Sequence, residues 1–508
     1  MTNPGAPPSV PTTARPWLAL AGLSLSMLVL NLNATTLSVA LTDIARELKA
    51  DTQALQWIFI SYNLTAAALL LVAGAIGDRF GRKRVLLLGL AMFGLASLAG
   101  AWAPNAVALT GVRAVMGLGS AIVTPMSLSI IPTVFPEERR GRAIGIWSGS
   151  VAVGIPLGPI IGGYLLSEFW WGSIFLLNVV SVVITLAACA VLIPESRGEP
   201  SRMDLPGLVL STTGTAALVY GLINAEHGWG SARTLGWICG GLILLAFFAG
   251  YELRTPRPLV QLGWFRSAAL RGALVALVFL FFAMAGMSFV VPLYLEGVLG
   301  YGPMATGVLL TPLAITLVAA SFLSSSVVAS VGGRNTVVTG LVTMGAGFAV
   351  AALVTPHSGP SPVVVAELLI GFGVGLASPP SMNIAVGSLP SGKVGSGSGL
   401  FNAFRQLGGV FGVAVVGAVV SAGYAHRTAA ASAGLPASSA ESVRASVANV
   451  RPVASALGGE SGRRMREEAF QAFATSMSLG LLISAGIALA AAVLAVTWIP
   501  GRSTGPDM

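Results

Sequence analysis

Gly74, Gly77, Asp78, Arg79, Gly81, Arg82 and Lys83 crowd one short turn between two apolar runs. So tight a turn needs glycine where a Cβ would clash. Asp78, at a helix end, can accept hydrogen bonds from free backbone N–H groups or pair with a nearby arginine, a contact able to break and re-form. A topology anchor alone would explain the basic residues but not the acid and glycines at these spacings. Arg113 stands ~9 Å inside another apolar run at ~1.5 Å per residue, where an unpaired guanidinium costs at least ~2.5 kcal/mol. It should face a wet internal cavity, with snorkelling to an interface as the alternative. Gly145, Gly154, Gly158, Pro159, Gly162 and Gly163 mark a third run. Glycines four apart flatten a helix face for close approach, and Pro159 adds a bend and frees a carbonyl. Plain close packing is the alternative there.

Composition identifies the elements that must position these groups. Hydrophobic residues make up 55% of the 508-residue chain and charged residues only 9%, against roughly 25% charged in soluble domains; mean hydropathy is +0.83. Apolar runs long enough to span a bilayer begin near Leu18, Leu55, Val85, Val107, Ile144, Ile174, Leu205, Leu235, Leu270, Ala305, Val337, Val363, Leu400 and Phe473. The expected class is an all-α polytopic membrane protein with fourteen transmembrane helices, both termini on one side. The run from Leu18 to Val39 exceeds the ~7–15 residues of a signal-peptide core and reads as the first helix.

A formal charge of +9 invites a nucleic-acid reading, but the basic residues form short clusters between apolar runs. Arg79, Arg82, Lys83 and Arg84, then Arg139, Arg140 and Arg142, then Arg254, Arg257, Arg266 and Arg271 fall in alternate loops, which should be cytoplasmic. The opposite short loops hold little besides Arg46, Lys49 and Arg233. The stretch from Gly423 to Ala469 dissents, with Arg444, Arg451, Arg463, Arg464 and Arg466 on the outer side, as long loops tolerate. Its Ala/Ser/Gly-rich start and its end, GESGRRMREEAF, read as a mostly flexible loop with a short amphipathic helix, a solvated linker or a partner-binding segment. Cys189 and Cys239 lie inside predicted helices without metal-type spacing and read as filler.

AGAIGDRFGRKRVLLLGL from Ala73 has a weaker echo, VASVGGRNTVVTGL from Val328, with Ser330 roughly where Asp78 would stand. Such repetition suggests two related halves. The expected organisation is a tail over 1–16, a six-helix bundle over 17–195, a linker with two additional helices over 196–255, a second bundle over 256–500 that includes a long outer loop over 423–470, and a tail over 501–508.

GDRFGRKR resembles the signature of the major facilitator superfamily in this turn, and the glycines and proline of the fifth run are similar to its antiporter motif. RAVMGLGSA around Arg113 is similar to the fourth-helix motif, whose arginine is implicated in proton transfer, with Met116 replacing a common glutamine. LNATTLSVAL from Leu32, SYNL from Ser61, PLYLEGVLG from Pro292 and SGLFNAFRQLGG from Ser398 resemble the fourteen-helix drug:proton antiporter branch, over nearly the whole chain. The resemblance implies the major facilitator fold, two six-helix bundles plus two inserted helices, one bundle rocking against the other. It implies proton-coupled export of drugs, antibiotics or related amphipathic molecules across the plasma membrane, with Asp78, Arg79, Arg82 and Arg113 in coupling and switching, and both termini cytoplasmic. No enzymatic activity is expected, and no cofactor or metal, the proton being the coupling ion. The expected partners are a small-molecule substrate and the lipid bilayer, not nucleic acid, and the chain is expected to be a monomer. Asn33 departs from the branch's usual aspartate, which puts attraction of a cationic cargo and one protonation site in doubt.

Proton coupling needs a group whose protonation differs between the two facing states, commonly a buried carboxylate. Glu367 is the main intramembrane candidate, a merely solvated residue near the outer end being the alternative; Glu296 reads as interfacial. Asn33, Tyr62, Asn63, Asn178, Asn383, Asn402 and Arg405 could line a central cavity, Asn31 with them, although a buried amide equally serves to join helices. Phe279, Phe281, Phe282, Met284 and Met287 could form an adaptable apolar surface or face lipid. GSLPSGKV from Gly387 imitates a phosphate-binding loop but has Val394 where a hydroxyl must reach magnesium, and GFGVGL from Gly371 lies inside an apolar helix. His227, His357 and His426 sit in separate outer loops and form no metal constellation. Two rivals stay open: an exporter of one neutral or anionic metabolite, and a non-transporting receptor or assembly protein.

Overall fold

The computed structural model describes residues 15–197, 204–224, 230–256, 258–389, 394–432 and 435–501, and among these every regular element is a helix. The first half comprises α1 (Arg15–Glu47), α2 (Thr52–Phe80), α3 (Arg82–Ala101), α4 (Ala106–Val134), α5 (Glu137–Glu168) and α6 (Ser173–Leu192). Next come α7 (Leu205–Ile223) and α8 (Ala232–Glu252). The second half comprises α9 (Ala268–Leu293), α10 (Pro303–Leu309), α11 (Thr311–Val331), α12 (Gly333–Ala351), α13 (Ser361–Gly387), α14 (Val394–Ala431), α15 (Ala437–Ala445), α16 (Val450–Leu457) and α17 (Gly459–Trp498). Short polar residues start several of these: Asp51 accepts from Ala54 N at 2.7 Å and Asn105 from Ala108 N at 2.9 Å, satisfying donors the first turn leaves free.

Within the first half α1 packs on α5 and α6, α2 on α4, and α3 on α4 and α6; in the second, α9 packs on α13, α14 and α17, α11 on α13, and α12 on α13 and α17. α7 and α8 pair with each other, and α7 leans on α2 and α14, one helix from each half. The repeat shows in the backbone: Gly81 (φ 104) joins α2 to α3 and Gly332 (φ 86) joins α11 to α12, each amide bonding the carbonyl four residues back at 2.9 Å. Aligning these glycines puts Ala329, not Ser330, opposite Asp78, a correction of one residue.

The halves meet at the end away from the basic turns. There α2 touches α14, where Gln56 packs on Gly417, and α5 touches α10, where Gly307 packs on the Pro159 carbonyl. The rings of Phe59 and Phe289 sit 6.0 Å apart across the same seam. On the basic side α5 is bare: Gly141, Arg142, Ile144, Gly145 and Gly149 are exposed. The far end is therefore shut and the basic end open.

Helices occupy all fourteen expected positions, but only twelve described spans are long and apolar enough to cross a membrane, thirteen if the bent Thr52–Phe80 is one. α12 falls outside that set; Arg334 and Asn335 in its first turn lower its hydropathy. The stretch expected to be a flexible outer loop is corrected more strongly. α14 runs to Ala431 and α17 starts at Gly459, and between them Val443, Val447, Ala448 and Val450 are buried. Tyr424 donates to Val443 O at 2.8 Å, Thr52 of the first half to Ala445 O at 3.0 Å, and Arg451 to Gly297 O and Val298 O at 3.2 and 2.7 Å. These apolar residues and bonds make the segment a cap lying across both halves. Burial, then Arg466 and Arg46 nearby, pull the Arg451 guanidinium below its ordinary value. The terminal tails, His227, Arg257 and part of the glycine loop after Gly387 lie outside the described residues.

Candidate functional site

Arg113, seven residues into α4, is 1% exposed, so it does not face open water as its depth suggested. Its charge is instead met by α2. Nε donates to Ile58 O at 3.2 Å, and the guanidinium stacks 4.6 Å from the Tyr62 ring centroid, an attraction strengthened by desolvation. Nη1 is buried without a hydrogen-bond partner. Gly117, one turn on, lets α4 close on α2: a Cβ there would collide with Tyr62 O and Thr65. Tyr62 donates to Ser120 Oγ at 2.7 Å, and it lies within electrostatic reach of Arg405 as well as Arg113. Arg405, half-buried on α14, stacks 5.3 Å from the Phe281 ring, and its Nε also lacks a partner. Two guanidiniums, one from each half, thus flank one phenol.

Around Gly81 the switch residues form a compact network. Asp78 accepts from Arg82 Nε at 2.9 Å, and Arg82 Nη1 donates to Ser129 O on α4 at 3.1 Å. Arg79 is exposed and lies over Phe80. Glu195, which the sequence reading missed, accepts from Lys83 N at 3.0 Å and Arg84 N at 3.3 Å, so it caps the start of α3. Its only signal was a carboxylate just past an apolar run. Gly77 packs under Met126, whereas Gly74 has open space beside it.

The α5 glycines divide by face. A Cβ on Gly154 or Gly162 would come 3.0 Å from Asn31 Cβ or 2.7 Å from Thr36 Cγ2 of α1, and one on Gly158 would collide with Thr35. Gly163 lies under α10, 2.7 Å from Pro303 O by the same measure, and Pro159 meets Gly307. The motif therefore packs α5 against its own half and the other half together. Gly145 is the exception: it is exposed on the open side, and nothing lies within 4 Å.

The amides separate likewise. Asn178 Nδ2 donates to Asn33 Oδ1 at 2.9 Å, and with exposures of 2% and 5% the pair joins α6 to α1, the alternative role of a buried amide, while Asn33 Nδ2 has no partner. Asn63, Asn402 and Arg405 are half-buried and Asn383 is exposed. Of the apolar set, Phe282 and Met287 are core residues. Glu367, 1% exposed, accepts from Leu313 N at 3.4 Å, at the first turn of α11. Glu296 is not interfacial: it is 4% exposed because the cap and the seam close over the end of α9. GFGVGL is a packing surface, with Gly371 and Gly375 set on α11 and Gly373 on α12. No group of three or more potential metal ligands occurs among the described residues.

Two helical bundles shut at one end, open at the other and holding charge in their centre have the architecture of a membrane transporter. The chain belongs to the Major Facilitator Superfamily, whose family model matches residues 23–413. It is 31% identical to the tetracenomycin C resistance and export protein of Streptomyces glaucescens over 95% of this chain and 91% of that one. It is also 31% identical to the multidrug efflux pump LfrA of Mycolicibacterium smegmatis, over 96% and 97%. Among solved structures it resembles a bacterial homologue of the lysosomal transporter Spinster in its inward-facing, unoccupied conformation, with TM-score 0.65, 16% identity and coverage of 97% and 100%. That likeness speaks to the fold alone.

Proposed function

We propose that this chain is a proton-coupled antiporter, not an enzyme, exporting small amphipathic molecules such as drugs or antibiotics across the plasma membrane. The carrying observation is the asymmetric closure: the seam is sealed over the far end while α5 stands bare at the basic end, which the positive-inside rule assigns to the cytoplasm. A carrier in this state loads from the cytoplasm. The relatives' roles in resistance and export support the direction. Both termini are cytoplasmic in this reading, the chain works as a monomer in the bilayer, and the proton is its coupling ion.

One observation favours a narrower cargo. Among the described residues no carboxylate acts on Arg113 or Arg405, each keeps a buried guanidinium nitrogen without a partner, and charge only partly met at depth calls for a counter-ion or water. With Asn33 engaged by Asn178, the centre suits a neutral or anionic molecule better than a cation.

Inverted membrane vesicles test both statements. Imposing an acid-inside gradient should drive accumulation of an apolar anion or neutral probe, and a protonophore should abolish it. No gradient-dependent accumulation of cationic, neutral or anionic probes would sink the exporter reading. Accumulation of cations alone would remove the narrower one.

A further inference from the structure

The far-end seam buries a carboxylate beside hydroxyls that leave one of its oxygens without a well-aligned partner. Glu296 sits on the turn that closes α9, where Leu299 N reaches back five residues to Tyr294 O at 3.0 Å, a π-type turn of the kind that recurs at functional positions. Thr42 of α1 and Thr306 of α10 come within reach of its carboxylate. Both are buried, at 1% and 0% exposure, yet Thr42 Oγ1, Thr306 Oγ1 and Glu296 Oε1 all lack a partner at proper hydrogen-bond geometry. The charged groups around it are engaged elsewhere or share its sign. Asp43 and Arg46 of α1 face it but pair with each other at 3.6 Å. Arg451 of α16 is bound to the Gly297 and Val298 carbonyls, and Arg466 of α17 acts on Arg451.

A bare carboxylate is costly to bury, whereas the protonated acid is far less so and can donate to a threonine hydroxyl. One wall of this pocket, Thr42, belongs to the first half and the other, Thr306, to the second. Parting the halves must therefore hydrate Glu296, and shutting them must dry it. Glu367 does not meet this condition. Its contact with Leu313 N lies within the second half, so rigid-body rocking leaves that contact unchanged.

We propose that Glu296 is a proton-binding site that locks the far end: closing the seam takes one proton from the water on that side onto the carboxylate, and reopening returns the group to water. This goes beyond the proton-coupled reading, because the proton is taken from and returned to the water of one side and so gates the cycle without itself crossing the membrane, and it rests on the alternating access of that reading.

The test measures the seam, not transport. Spin labels at Trp102 and Leu353, exposed residues at the far ends of α3 and α12, in a Cys239→Ser background, report the far-end distance in lipid nanodiscs as pH is varied. Wild type should pass from open to closed as pH falls, the closed-to-open ratio changing about tenfold per pH unit where one proton is linked. Glu296→Gln, a neutral mimic of the acid, should stay closed throughout, and Thr306→Val should keep the transition but move its midpoint. A wild-type transition surviving in Glu296→Gln would overturn the proposal, as would closure driven by added NaCl at fixed pH, which would make the site one for a metal cation. If vesicle transport proves independent of protons while this titration holds, the proton-coupled reading fails and the Glu296 site stands. If transport is proton-driven and the titration is flat, the reverse is true.

Discussion

At the level of single residues, the groups that hold charge in the dry centre sort into two kinds. Arg113 reaches from α4 to α2 through one hydrogen bond and one ring face, so Arg113→Ala removes an interaction of about 2 kcal/mol from the helix that carries Tyr62. Proton-driven uptake into inverted vesicles should fall at least about tenfold at equal expression, by the usual conversion of free energy to rate; normal uptake would take Arg113 out of the mechanism. Glu367 makes a capping contact instead. Glu367→Gln should keep the full response to an imposed pH gradient while lowering stability by about 1 kcal/mol, seen as a lower Tm in detergent. A lost gradient response with unchanged Tm would reverse that assignment. Arg113 was legible in the sequence because a guanidinium so far into an apolar run must be compensated. The Asn33–Asn178 bond was not, since which amide faces a cavity depends on helix rotation that apolar composition all round the helix does not specify. Glu296 was misread for a related reason: its position near a helix end says interface, and only the packing of α1, α10 and the cap over it says otherwise.

At the level of elements, glycine spacing carried more information than charge. The turn glycines Gly81 and Gly332 could be read because both need a positive φ that other residues rarely adopt, and the α5 series because steps of four place it on one face. Which face meets which helix was not written in that spacing. The structure sets Gly158 against Thr35 and leaves Gly145 in the open, and that contrast is testable in one pair of variants. Gly158→Val should force α5 off α1 at a cost of roughly 1–3 kcal/mol and abolish most transport. Gly145→Ala should be neutral or slightly stabilising in this conformation, through its gain in helix propensity. Equal loss in both would mean that α5 is packed at its basic end too during the cycle.

For the whole molecule, the decisive feature is that the far end is closed twice, once by helix seams and once by the folded segment between α14 and α17. Its Ala/Ser/Gly-rich composition hid a short apolar face, Val443, Val447, Val450 and Ala454 at steps of three and four, and its order also draws on long-range partners: Thr52, Gly297, Val298 and Tyr424. Because those partners belong to both halves, the segment adds stability to the far-closed state alone and must let go each time the carrier opens outward. Replacing residues 437–457 by a short Gly/Ser linker should therefore shift the labelled far-end distance toward the open form at every pH, while the bundles keep their own packing. Transport should slow because the return to the cytoplasm-open state becomes the hard step, and raising the proton gradient should restore part of it. A non-transporting receptor that used this segment to bind a protein would behave differently, losing partner capture with no change in distance or flux. An unchanged distance in the linker variant would show that the helix seams alone hold the far end shut.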